Sequence, residues 1–160
     1  MAKTGYYLMA ALSLMIAAIQ LRFFFMPMTM ASPDMLHHIA DVPSAFWLHV
    51  IGASSALALG VSQFAAGLRA RRPGIHRWTG RCYVAAVLIG APSGLVLALN
   101  ANGGNVTRTG FAMLALAWAA ATYMGVWHAR GGRYVIHRQW MIRSYALALG
   151  AVTLRLQVPI

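Results

Sequence analysis

The stretch LHVIGASSALALGVSQFAAGLRARRPGIHRWTGRCYVAAVLIGAPSGLVLAL, residues 48–99, decides the fold. Two apolar runs flank a short segment that carries Arg69, Arg71, Arg72 and Arg77, with Pro73-Gly74 as its breaker. About 20 apolar residues in a helix cross the roughly 30 Å hydrocarbon core of a bilayer. Arginines gathered in a short connecting loop mark its cytoplasmic side. The stretch therefore reads as a membrane helix, a cytoplasmic turn and a returning membrane helix.

The whole chain has the same character. Of its 160 residues, 60% are hydrophobic and 9% are charged, against about 25% charged in an average soluble domain. Mean hydropathy is +0.64. These values exclude a soluble globular enzyme, a disordered tail and a secreted disulfide scaffold. The formal net charge of +11 would suggest nucleic acid in a soluble protein. In a membrane chain it reads as topology, and no nucleic-acid partner is expected. The single cysteine, Cys82, excludes an intrachain disulfide and is expected to pack inside an apolar run.

Extending outward gives an all-α, polytopic membrane helical bundle with five transmembrane helices in one domain. The runs cover about residues 5–26, 44–68, 77–99, 109–127 and 134–156. A second arginine-rich turn, HARGGRYVIHR (residues 128–138), joins the last two. The alternate loops are poor in basic residues: 27–43 holds both acids, Asp34 and Asp41, and 100–108 holds one arginine. The N-terminus is then cytoplasmic and the C-terminus periplasmic. Only Lys3 precedes the first run, which is too long for a signal peptide and reads as a retained helix.

The return helices begin HRWTGRCY (residues 76–83) and HRQWMIRSY (residues 137–145). This likeness suggests that runs two–three and four–five repeat one another, with His76 and His137 at one depth near the inner surface. Arg81 and Arg143 then lie about 7 and 13 Å along their helices at 1.5 Å per residue. No glutamate exists in the chain and both aspartates sit in the opposite loop. The arginines either snorkel to lipid headgroups or meet backbone carbonyls, tyrosine oxygens, water or an outside anion: a lipid phosphate, a haem propionate or an acid of another subunit. The lack of an intramembrane carboxylate argues against a carboxylate-based pump or exchanger.

Two histidines on facing helices at equal depth can hold a haem b. The pair would be His76 and His137, with His128 as an alternative ligand and Arg77, Arg81, Arg138 and Arg143 as propionate, anion or lipid contacts. The simpler alternative is interfacial histidines bonded to loops and lipid. In the outer loop, His37-His38 and the methionines Met26, Met28, Met30 and Met35 are either ordinary loop residues or soft metal ligands. His49 shares a helical face with Gly52, Ala56 and Gly60, a small-residue strip that permits close packing or admits a flat ring.

The strings HRQWMIRSYALALGAVTLRL (residues 137–156), LHVIGASSALALGVSQF (residues 48–64) and HRWTGRCYV (residues 76–84) resemble a bacterial family of multi-pass membrane proteins, domain of unknown function 2306. The resemblance covers about residues 45–158. It implies a bacterial inner-membrane location and an architecture, with no assigned activity. Members usually continue into further apolar sequence, so a chain stopping at Val158-Pro159-Ile160 is either a short form or a longer protein cut there. A looser, fold-level likeness to cytochrome b-561 places one histidine pair at His76 and His137. Two functions follow. One is a non-catalytic membrane subunit packed against lipid and a larger complex. The other is a b-type electron-transfer protein, with a quinone as its candidate partner.

Overall fold

The computed structural model describes the backbone of residues 3–157 and the side chains of residues 4–33 and 35–150. The side chains of residues 151–156, which close the family-like string, and residue 158, where the resemblance ends, lie outside the described residues. Among the described residues there is no strand. The helices in chain order are α1 (Lys3–Ile19), α2 (Arg22–Phe25), α3 (Met28–Ala31), α4 (Leu36–Asp41), α5 (Pro43–Gln63), α6 (Ala66–Arg71), α7 (Pro73–Leu99), α8 (Gly104–Arg130) and α9 (Tyr134–Gln157).

Prolines and glycines set the boundaries. Pro43 and Pro73 each occupy the first turn of a long helix, where the missing N–H costs nothing. Starting α7 at Pro73, four residues before the expected boundary, brings His76 and Arg77 into the helix. The second run stops at Gln63 instead of residue 68, because Ala65 turns extended and a short separate helix, α6, carries Arg69 and Arg71. The fourth helix is longer at both ends than the expected 109–127. Between α8 and α9, Gly132 adopts φ +70°. Arg133 N donates to His128 O at 2.9 Å and Gly132 N to Ala129 O at 3.1 Å, the two bonds of a left-handed glycine cap.

Among the described residues, four segments are long and apolar enough to cross a membrane: Thr4–Phe25, Pro43–Gln63, Pro73–Leu99 and Gly104–Arg130. The first includes the short break at Gln20-Leu21. α9 has 24 residues, about 36 Å of helix, but carries Arg138 and Arg143 in its first ten positions.

The helices close into a ring: α1 packs on α5, α5 on α7, α7 on α8, α8 on α9, and α9 returns to α1 and α5. The tightest crossing is between α5 and α7. Gly52 lies against Gly90 and Ala86 so closely that a Cβ on Gly52 would stand 2.6 Å from Gly90 N. Pro92 deprives α7 of the backbone donor that would serve Leu88 O, and side chains add bonds to the next two carbonyls. Ser93 Oγ donates to Ile89 O at 2.6 Å, and His49 Nδ1–H donates to Gly90 O at 2.8 Å. The main core gathers Ile16, Ala56, Leu57, Tyr83, Val87, Trp118 and Tyr145. A smaller core of Phe23, Ala31, Phe46 and Val50 caps the end away from the arginine turns.

Large apolar side chains such as Leu88, Leu99, Met113 and Leu116 point outward, as expected of a surface in contact with lipid. Cys82 is also exposed, which corrects its expected packed position. It lies one residue, about 100° of helix, from the buried Tyr83.

Candidate functional site

The site begins with the register of α7 against α9. His76 and Tyr83 are seven residues apart, two turns on one helical face; His137 and Ser144 are related in the same way. Tyr83 OH and Ser144 Oγ share a hydrogen bond of 2.7 Å. That bond places the two histidines at a common level two turns nearer the arginine end. His137 lies within electrostatic range of His76.

The bond belongs to a closed circuit. Trp118 Nε1, which can only donate, reaches Tyr83 OH at 3.5 Å. Thr122 Oγ1 donates to the Trp118 carbonyl at 2.8 Å and lies 2.7 Å from Ser144 Oγ. Since a carbonyl only accepts, protons run from Trp118 through Tyr83, Ser144 and Thr122 back to Trp118. All four side chains are buried, Ser144 completely. A second set joins α9 to α1 and α5: Tyr145 OH bonds to Ser13 Oγ at 2.9 Å and to Leu57 O at 3.0 Å. Neither set is among the sites expected from sequence. A signal for them exists there: Ser13, Thr122 and Ser144 are hydroxyls inside apolar runs, where an unpaired polar group is costly.

The histidines differ in their partners. His137 Nδ1–H donates to Gly125 O at 2.8 Å, which fixes its tautomer and leaves Nε2 as the acceptor. His76 and His128 each hold a buried Nδ1 without a hydrogen-bond partner among the described residues. The expected equivalence of His76 and His137 therefore extends to their level and not to their bonding. At its own level, α7 is tied to α5 by Gln63 Nε2, which donates to Thr79 Oγ1 at 2.7 Å. The His–glycine carbonyl device recurs instead between His49 and Gly90. In both cases a histidine near a helix N-terminus bonds to the antiparallel neighbour.

The arginines are not buried charges. Arg77, Arg81, Arg138 and Arg143 are all exposed. Arg81 folds back over the ring of Trp78 at 5.8 Å, and Arg143 over Trp140 at 4.7 Å. Arg133 lies 5.2 Å from the Trp127 ring. Helical side chains lean toward the N-terminus, so Arg81 and Arg143 run back toward the arginine end. For Arg143 the contact with Trp140 sets the guanidinium nearer the arginine end than its Cα. Each exposed cation–ring contact contributes about 0.5–1 kcal/mol.

Among the described residues, no three histidine, cysteine or acidic side chains gather in a way that could hold a metal ion. Two shallow apolar grooves, of about 370 and 440 Å³, are lined by residues including Phe111 and Leu114, and Leu48 and Leu88; neither reaches a histidine.

All of this arrangement except Ser13 of α1 falls inside the segment that matches a known family model. Residues 46–160 match the family described as predicted membrane protein, domain of unknown function 2306. The chain belongs to that family. Domain 2306 begins within the first turn of α5, so the match includes both arginine turns, His49, His76, His128, His137 and both tyrosines. α1 and the cap helices α2–α4 precede it. No curated protein and no solved structure matches the chain, so the likeness to cytochrome b-561 gains no support from them.

Proposed function

We propose that this member of the family is a non-catalytic integral membrane subunit of a bacterial inner membrane. Its arginine end engages acidic lipid headgroups and its apolar flank packs against a larger complex. The observation that supports this reading is the collar of three arginine–tryptophan pairs at one end of the bundle, with both acids of the chain located in residues 27–43. Tryptophan prefers the membrane–water interface. Basic residues beside it attract anionic lipid by about 1 kcal/mol each. On this reading the arginine end faces the cytoplasm, α1 starts there, and α9 provides a fifth crossing toward the periplasm.

The test is lipid preference in nanodiscs of mixed phosphatidylglycerol and phosphatidylcholine. Arg81→Gln, Arg133→Gln and Arg143→Gln should each lower the retention of phosphatidylglycerol by about fivefold, with the loss shrinking at high salt. Equal retention in the triple variant and the parent would overturn the lipid reading. A stoichiometric partner retained in mild detergent would identify the complex.

The His137–Gly125 bond favours a second reading. Histidines that ligate a metal usually donate their other ring nitrogen to a carbonyl, and His137 does so with Nε2 left over. His76 lies opposite with its Nδ1 unpaired. These two residues would hold a haem b on the arginine side of the Tyr83–Ser144 bond, with Arg77, Arg81 and Arg138 near its propionates and His128 as the alternative ligand. Such a haem would supply one-electron transfer, with a membrane quinone as candidate partner. Protein from haem-replete cells should show a sharp reduced α band that is lost in His137→Ala; a flat spectrum would rule this reading out.

A further inference from the structure

The opposite end of the bundle carries a motif that the lipid reading does not use. Residues 26–38 read MPMTMASPDMLHH, with four methionines and two adjacent histidines in thirteen positions. The chain folds them into a compact cap. Met28 and Met35 pack, half-buried, on the small core of Phe23, Ala31, Phe46 and Val50. Met35 stands one turn before His38 at the start of α4. The His37 and His38 rings meet at a tilt of 42°, with centroids 3.9 Å apart.

Each histidine holds a buried ring nitrogen without the bond that burial ordinarily requires. His38 is 6% exposed, and its Nδ1 has no hydrogen-bond partner; the Nε2 of His37 is buried and equally without one. Two adjacent imidazole nitrogens thus carry a desolvation cost that nothing described in the cap offsets. A ligand that accepts their lone pairs would offset it.

We propose that the cap is a Cu(I) site, with His37 Nε2 and His38 Nδ1 as nitrogen ligands and the Met35 thioether as a sulfur ligand. The chemistry selects the ion. Thioethers favour soft Cu(I), and imidazole suits copper as well. Zinc is bound by thiolate, imidazole and carboxylate groups, and a thioether is not among them. Cu(I) accepts two or three ligands. All three proposed ligands are neutral, so a monovalent ion adds the smallest charge to a buried cap. Burial, and next the neighbouring His37, hold the His38 pKa below its ordinary value, with Asp41 and His49 as the other groups acting on it.

The experiment titrates the full chain in detergent with Cu(I) alone, under anaerobic conditions, against a chromophoric Cu(I) chelator. One Cu(I) per chain should be retained. His37→Gln, at the less buried ring, should weaken retention at least tenfold, and Met35→Leu should weaken it less. Zn(II) should not compete. X-ray absorption of the loaded parent chain supplies a readout that no variant's folding can blur: the site requires both nitrogen and sulfur scatterers. Failure of the parent to retain Cu(I), or retention unchanged in His37→Gln, would overturn the proposal, as would a copper edge without sulfur.

Discussion

Gly52→Ala should destabilise the folded bundle by about 1–3 kcal/mol, the range for overpacking a well-filled interior, and Gly52→Leu should abolish it. The reason is what the new carbon meets. A Cβ on Gly52 would lie 2.6 Å from Gly90 N, 2.8 Å from Gly90 Cα and 2.9 Å from Ala86 O. All three are backbone atoms of α7 and none can rotate away, so the two helices must separate. Separation also draws the Gly90 carbonyl away from His49. Gly90→Ala should be milder, since its Cβ would meet Ala53 N at 3.0 Å and Gly52 C at 3.1 Å. Gly110→Ala, with open space around it on α8, should be neutral or stabilising by up to about 1 kcal/mol through helix propensity. Reversible unfolding in mixed micelles ranks the three. If Gly52→Ala proved as stable as Gly110→Ala, the close α5–α7 crossing would be wrong.

Much of this crossing is legible in the sequence. A small residue every fourth position in Gly52, Ala56 and Gly60 marks a helix face that another backbone can approach. The same strip could admit a flat ring, and at Gly60 it does: the Tyr145 ring lies directly on it. The all-α class is legible too, because hydrocarbon admits few other backbones. The inward and outward faces are not. Core and lipid are both apolar, so hydropathy cannot tell that Tyr83 points in while Cys82 points out. Helical rise locates the Cα of Arg143 but not its guanidinium, which sits several bonds away over Trp140. The seven-residue spacings from His76 to Tyr83 and from His137 to Ser144 are legible. The unequal bonding of the two histidines is not, because it depends on which neighbour offers a carbonyl: Gly125 serves His137, while nothing described serves His76 Nδ1.

Tyr145→Ala should cost about 3–5 kcal/mol, the usual range for removing a large buried aromatic, and should loosen α1 first. Tyr145 is 2% exposed and sits where three helices meet α9. Its ring covers Gly60 of α5, packs against Phe64 at 5.0 Å and approaches Tyr83 of α7 at 6.3 Å. Its hydroxyl bonds to Ser13 of α1 and to the Leu57 carbonyl of α5. α1 packs on α5 and α9, and Tyr145 joins all three. Tyr145→Phe separates the two contributions: the ring stays and the hydroxyl goes. It should cost about 0.6–1.7 kcal/mol, the span from average to largest for a hydrogen bond between membrane helices, because Ser13 can satisfy itself on its own helix. Cysteine cross-linking between α1 and α9 reads the loosening, and unfolding in mixed micelles reads the energy. A Tyr145→Phe loss as large as that of Tyr145→Ala would move the weight from the ring to the hydroxyl. An α1–α9 cross-link unchanged in Tyr145→Ala would show that α1 is held by α5 alone.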